Sequence, residues 1–143
     1  MNKNGPVIVA MLGAYKKAPR VIQRLIAGAY KLSPGQLAND IPINLRVGEG
    51  FTLPHAVGIV IDADTTIGDR VSILQNVTIG KRAPGEAAPT LCDGVAIGAG
   101  AVIIGDITLG EGCAVGANAV VTKSVPPGYV AVGVPAVNRP RQS

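Results

Sequence analysis

The sequence predicts an all-β solenoid, a parallel β-helix built from six-residue repeats, and three observations predict it. An aliphatic residue recurs at Ile61, Ile67, Ile73 and Ile79, and again at Leu91, Ile97, Ile103, Leu109, Val115 and Val121. A second small or branched residue follows four positions later, at Val71, Val77, Val95, Ala101, Ile107, Cys113, Ala119 and Val125. Glycine often comes directly after the beat, at Gly68, Gly80, Gly98, Gly110 and Gly116. A hexapeptide period of this kind means a chain that turns a corner every six residues, with three hexads to a triangular coil. Each beat then points into the axis and stacks on its counterpart one coil away. Glycine beside it suits a corner where a side chain would crowd the turn.

The elements follow in chain order. Residues 6–33 read as helical, with Pro19 able to start a second helix in its first turn. Val21, Ile22, Leu25, Ile26 and Ala29 form one apolar stripe, with Arg20, Arg24 and Lys31 off it, and Ser33-Pro34-Gly35 ends the helix. The stripe predicts a cap packed across the open first coil, an edge that would otherwise invite aggregation. A basic amphipathic helix on an anionic membrane surface is the other reading. The coil runs from about Ile41 to Val132, with Pro126-Pro127-Gly128 and Gly133-Val134-Pro135 closing it. An earlier beat at Val47 and Leu53 is two residues out of phase with Ile61. Gly80–Thr90 lacks an aliphatic at Gly85, which predicts a loop leaving the coil, and solenoid insertions tend to emerge on a binding face. The expected organisation is a helical cap over 1–39, a β-helix over 40–136 with the loop at 80–90, and a basic tail over 137–143.

Composition narrows the function. Among 143 residues only four are aromatic, so aliphatic stacking supplies most of the burial. Charged residues make up 15%, below the usual quarter, and flat sides so poor in charge argue for self-association. The net charge is +4, with basic residues gathered at both ends. Aromatic residues are not interleaved with them, so nucleic acid is not expected as a partner, whereas a ligand carrying phosphates fits. Cys113 falls on an inward position as a small core residue, and Cys92 has no companion at metal spacing. Unpaired cysteines suit a reducing cytoplasm, and the apolar run Pro6–Tyr15 is too short to span a membrane.

The single histidine, His55, sits in Thr52-Leu53-Pro54-His55-Ala56-Val57-Gly58, where the coil slips by two residues. Histidine titrates near neutrality and is the commonest general base, although a lone histidine also has an ordinary structural reading. Asp40 lies fifteen residues upstream, a spacing that can bring it to a neighbouring coil near the same corner. There it could orient the imidazole, or serve only as a turn residue.

The stretch Asp40–Gly58 (DIPINLRVGEGFTLPHAVG), with VSILQNVTIG, IGAGAVIIGDI and VPPGYVAVGVPA beyond it, resembles the serine acetyltransferase branch of the hexapeptide acyltransferases. The resemblance covers roughly two-thirds of the chain, from Asp40 to Ile79 and from Pro89 to Ala136. It implies a left-handed β-helix, a homotrimer, and active sites in clefts between subunits with acetyl-CoA as co-substrate lying along the coils. It also implies His55 as general base, Asp40 as its partner, and main-chain contacts to CoA at Ala99 and Ala117.

The chain departs from that pattern near the acceptor. The family's large N-terminal helical domain is replaced here by about forty residues. Its Arg-His-Pro run reads Ala87-Ala88-Pro89, and the aspartate before its histidine is Pro54. An amino-acid acceptor needs charged or hydrogen-bonded partners for its carboxylate and ammonium. The short cap and the loop from Gly80 resemble instead the small acetyltransferases of exopolysaccharide and colanic-acid-type biosynthesis. The expectation is therefore O-acetylation of a small or sugar hydroxyl, with serine as the alternative acceptor and a non-catalytic trimeric binding protein as a further one. Lys81 and Arg82 are candidates for a phosphate of CoA or of a lipid-linked sugar, or simply members of an exposed loop. No metal is expected, because a zinc site of the carbonic anhydrase type needs three histidines and one chain carries one.

Overall fold

A computed structural model describes residues 4–34 and 38–141. The expected helix stop at Gly35 and the last two tail residues lie outside them. Helix α1 spans Asn4–Lys17 and helix α2 spans Arg20–Lys31. Short strands follow: β1 (Arg46–Val47), β2 (Val60–Ile61), β3 (Thr66–Ile67), β4 (Ser72–Ile73), β5 (Thr78–Gly80) and β6 (Thr90–Leu91). The series continues with β7 (Ala96–Ile97), β8 (Val102–Ile104), β9 (Thr108–Leu109), β10 (Ala114–Val115), β11 (Val120–Val121), β12 (Tyr129–Val132) and β13 (Val137–Pro140). They form three sheets, β1-β3-β6-β9, β4-β7-β10-β12-β13 and β2-β5-β8-β11, parallel throughout except for β13. The fold is a left-handed parallel β-helix of hexapeptide repeats behind a short helical segment.

The ten beats from Ile61 to Val121 line the axis. Ile61, Ile67, Ile73, Ile79, Leu91, Ile97, Ile103, Leu109, Val115 and Val121 are all buried, and so are the eight residues four positions after a beat, from Val71 to Val125. The registers count the coils. Ile61 pairs with Ile79 and Leu91 with Leu109, one coil of eighteen residues apart. Val47 pairs with Ile67, so the coil that carries His55 is two residues longer. Ile67 pairs with Leu91, which places one extra hexad outside the coil between β5 and β6. Val115 pairs with Ala131, two residues short, where Pro126-Pro127-Gly128 tightens the last coil.

The glycine after the beat serves close approach between coils. A β-carbon at Gly98 would come within 2.7 Å of the Ala117 amide nitrogen and 2.9 Å of the Val115 carbonyl oxygen. The turn itself is made three residues after the beat, where Arg70, Asn76 and Asn118 hold positive φ alongside several glycines. Asparagine tolerates that left-handed region better than most residues.

Three expectations are corrected. Pro19 precedes α2 as its N-cap, with φ −59° and ψ 152°, because an extended proline lets the chain turn sharply out of α1. The apolar stripe of α2 does not pack across the open coil. Ile8 and Leu12 of α1 do that, joined by Tyr30, which is the buried residue of α2, while Val21 and Leu25 are 78% and 73% exposed. Gly5 seats α1 on the first coil, since a β-carbon there would overlap the Leu53 carbonyl. Finally, residues 137–140 are a strand rather than a free tail. They fold back through Gly133 and pair antiparallel with β12, satisfying backbone groups at the last edge.

Candidate active site

His55 sits in the turn between β1 and β2 in the long coil, exposed at the mouth of a cleft of about 700 Å³. Phe51, Leu53 and Pro54 form one wall of the cleft, and Pro6 and Val9 of α1 form the other. The walls are almost wholly apolar, so an imidazole at the mouth has little competition for a hydroxyl brought there. The turn is braced from below. The Asn39 side-chain amide donates to the Ala56 carbonyl at 3.0 Å, and its Oδ1 accepts from the Ile59 amide at 2.9 Å. The Gly58 amide donates to the Ala38 carbonyl at 2.8 Å, and its φ of +67° carries the chain round the corner.

This corner continues up the coils. The Asn76 amide donates to Val57, the Gly100 amide to Gln75 and the Asn118 amide to Ala99, at 2.8 to 2.9 Å. Val57, Gln75, Ala99 and Ala117 therefore form one column that begins two residues from His55. Ala99 is half-buried and Ala117 exposed, so a long ligand laid along the corner would meet main chain at both.

Asp40 lies elsewhere on the same coil edge. It bridges to Val60, with its amide donating to the Ile59 carbonyl at 2.8 Å. No hydrogen bond or ion pair joins its carboxylate to His55 among the described residues. The reason is the coil length: with twenty residues per turn here, fifteen residues upstream falls five residues past His55, onto the sheet face rather than the corner. Asp40 lines a groove of about 500 Å³ with Thr78, Lys81, Arg82 and Ile104. Its charge is felt by Tyr30, whose hydroxyl donates to the Ile41 carbonyl at 2.8 Å; burial first, and Asp40 second, push that phenol well above its ordinary range.

Lys81 is held by two carboxylates, Asp64 in a hydrogen-bonded ion pair and Asp62 at 3.6 Å. Asp64 holds the lysine above its ordinary range and is itself held below the usual carboxylate range. Arg82 is exposed beside it and lies across Gly105, where a β-carbon would come within 2.8 Å of its Nη2. Of the two loop cations, Arg82 is the one offered to an anion. Asn39 is not marked by the hexapeptide period; its signal in the sequence is an asparagine just before Asp40, at an expected corner.

Proteins of similar sequence and fold bear on this arrangement. Residues 88–123 match the family described as bacterial transferase hexapeptide (six repeats). A probable serine acetyltransferase 1 of Oryza sativa subsp. japonica is 48% identical over 101 residues, covering 69% of this chain and 33% of that protein. The serine acetyltransferase of Salmonella typhimurium is 46% identical over 99 residues, 68% of this chain and 36% of its own. The soybean serine acetyltransferase apoenzyme superposes with a TM-score of 0.74 at 37% identity, covering 90% of this chain and 53% of that one. This chain is a hexapeptide-repeat protein of the serine acetyltransferase-like branch. It spans about a third to a half of the length of these relatives. A serine acetyltransferase solved in complex with CoA superposes with a TM-score of 0.72 at 32% identity, over 92% of this chain. The relatives named here are serine acetyltransferases, the alternative rather than the main expectation from the sequence.

Proposed function

We propose that this chain is an acetyl-CoA-dependent O-acetyltransferase with His55 as general base and L-serine as the first acceptor to consider. The observation that carries the reading is the corner column, in which His55 stands at one end and the main chain of Ala99 and Ala117 continues from it. In this reading acetyl-CoA lies along the corner, and Arg82, exposed in the loop, is the candidate cation for a phosphate. His55 takes the proton of the acceptor hydroxyl as that oxygen bonds to the thioester carbonyl carbon. The carbon–sulfur bond breaks, and the proton passes to the departing thiolate. Asp40, the partner carboxylate that the resemblance implies, stands beside Val60 without a hydrogen bond to His55, so the reading rests on His55 itself, with Asn39 positioning its turn. Val57 and Val60 are 45% and 41% exposed beside the histidine, an apolar edge that supports closure of the site by a second subunit of a homotrimer.

Serine is supported by the relatives. Sugar acceptors are supported by the residues that differ: Pro54 stands beside His55, and of Ala87 and Ala88 the second is buried, so neither offers a charge to an amino acid. The test is release of free thiol from acetyl-CoA with L-serine, sugars and nucleotide sugars, in the parent protein and in His55→Ala. Serine-dependent release that is lost in the variant is the expected result. Release with a sugar alone moves the acceptor, and full activity in His55→Ala sinks the mechanism. CoA binding with no turnover on any acceptor makes the chain a binding protein.

A further inference from the structure

No helix among the described residues is long and apolar enough to cross a membrane, yet α2 keeps an apolar face that the protein does not cover. One edge of α2 is pinned. Tyr30 is buried against the first coil, and the Gln23 side chain donates to the carbonyls of Tyr15 and Ala18 at 3.3 and 3.1 Å. At about 100° per residue, Val21, Leu25 and Leu32 point one way, roughly opposite to Gln23, with Ile22 beside them. Their exposures are 78%, 73%, 81% and 47%. Arg20, Arg24 and Lys31 fall together in the adjoining arc, with Lys16 and Lys17 at the end of α1 next to it. The sequence before Asn39 contains no acidic residue. An apolar strip bordered by cations and free of carboxylates has the pattern of a helix lying in a lipid interface, apolar face down and charges among the headgroups.

We propose that this face of α2 docks the protein on an anionic membrane surface. A second copy of the chain is the weaker occupant. Two such faces would bring their basic borders together with no acid from either helix to offset them, whereas anionic headgroups complement every charge in the border. The expected attachment is reversible and salt-sensitive, since it combines a short apolar strip with surface electrostatics.

The experiment is flotation of the full-length protein with vesicles of phosphatidylcholine alone, and of phosphatidylcholine with one-third phosphatidylglycerol, at low and high salt. Binding to the anionic vesicles should exceed binding to the neutral ones by tenfold or more and fall sharply at 0.5 M salt. Val21→Glu/Leu25→Glu should abolish it, and Arg20→Gln/Arg24→Gln should weaken it by on the order of tenfold or more. Both pairs are exposed, and circular dichroism with size-exclusion chromatography checks that fold and assembly persist. Failure of the parent to bind anionic vesicles overturns the proposal, as does equal binding by the Val21→Glu/Leu25→Glu variant. A parent that ignores vesicles but loses assembly size in that variant assigns the face to a second copy and also overturns it. Thiol release by the same variants in free solution keeps this outcome separate from that of the proposed activity.

Discussion

Asn39 reaches across to Ala56 and clamps the turn that carries His55: its amide donates to the Ala56 carbonyl at 3.0 Å, and its Oδ1 accepts from Ile59 at 2.9 Å. One side chain thus satisfies a donor and an acceptor on either side of the corner. Asn39→Ala removes both bonds at once and should cost about 1–3 kcal/mol in urea-unfolding stability. If His55 acts as the base, kcat should fall at least tenfold with the KM for acetyl-CoA little changed. Asn39→Asp keeps the acceptor and should retain more activity than the alanine variant. Wild-type kcat in Asn39→Ala would make the clamp purely structural.

Coil spacing gives a paired prediction. At Gly98 a β-carbon would meet the Ala117 nitrogen at 2.7 Å, whereas at Gly80 the nearest atom is the Ile104 Cδ1 at 3.9 Å. Gly98→Ala should destabilise by about 1–3 kcal/mol, because backbone has to move to make room. Gly80→Ala should stay within about 0.5 kcal/mol of the parent. Thermal melts of the two variants check this, and equal melting temperatures would contradict the close-approach account.

The loop between β5 and β6 is tied down at its start by Lys81, which joins Asp64 and Asp62. Lys81→Met should raise proteolytic cleavage within residues 82–88 several-fold, and high salt should partly reproduce the effect in the parent. Lys81 holds Asp64 below the usual carboxylate range. The tie therefore contributes above the ordinary aspartate range and is lost as pH falls through the lowered one. Cleavage that is indifferent to the substitution would show that the loop is held elsewhere.

Cys113 is buried, and its thiol is pushed up to about 11, by burial first and by Cys92 second. The folded protein keeps this proton where the unfolded chain, titrating near 9.0, has lost it. Its contribution to stability is thus complete below pH 9.0 and declines as pH rises to about 11. Cys113→Ala, which matches Ala101 and Ala119 at the same hexad position, should flatten the alkaline fall in the urea midpoint. An unchanged alkaline slope would assign that fall to other groups.

The repeat was legible because every coil asks the same of its sequence: an aliphatic residue at the beat, a small or branched one four later, and glycine where the next coil presses close. The displaced hexad between Gly80 and Thr90 could be found the same way, by a missing beat. The helices were harder. A stripe such as Val21, Ile22 and Leu25 records that a face is apolar, and nothing in the period says what it meets. The plug instead came from Ile8 and Leu12, in a helix whose apolar residues run nearly all round.

By itself, the sequence determined the solenoid, its axis-lining residues, the position of its loop and the corner that carries His55, because these depend on periods of six and eighteen that local spacing sets. Only the tertiary structure decided what those residues touch. Two extra residues in the first long coil slid Asp40 from the corner to the face beside Val60 and left Asn39 to clamp the histidine turn. Two aspartates claimed Lys81 and left Arg82 open, and α1 rather than α2 closed the coil. Such partnerships depend on register differences of one or two residues, to which a hydrophobic period is blind.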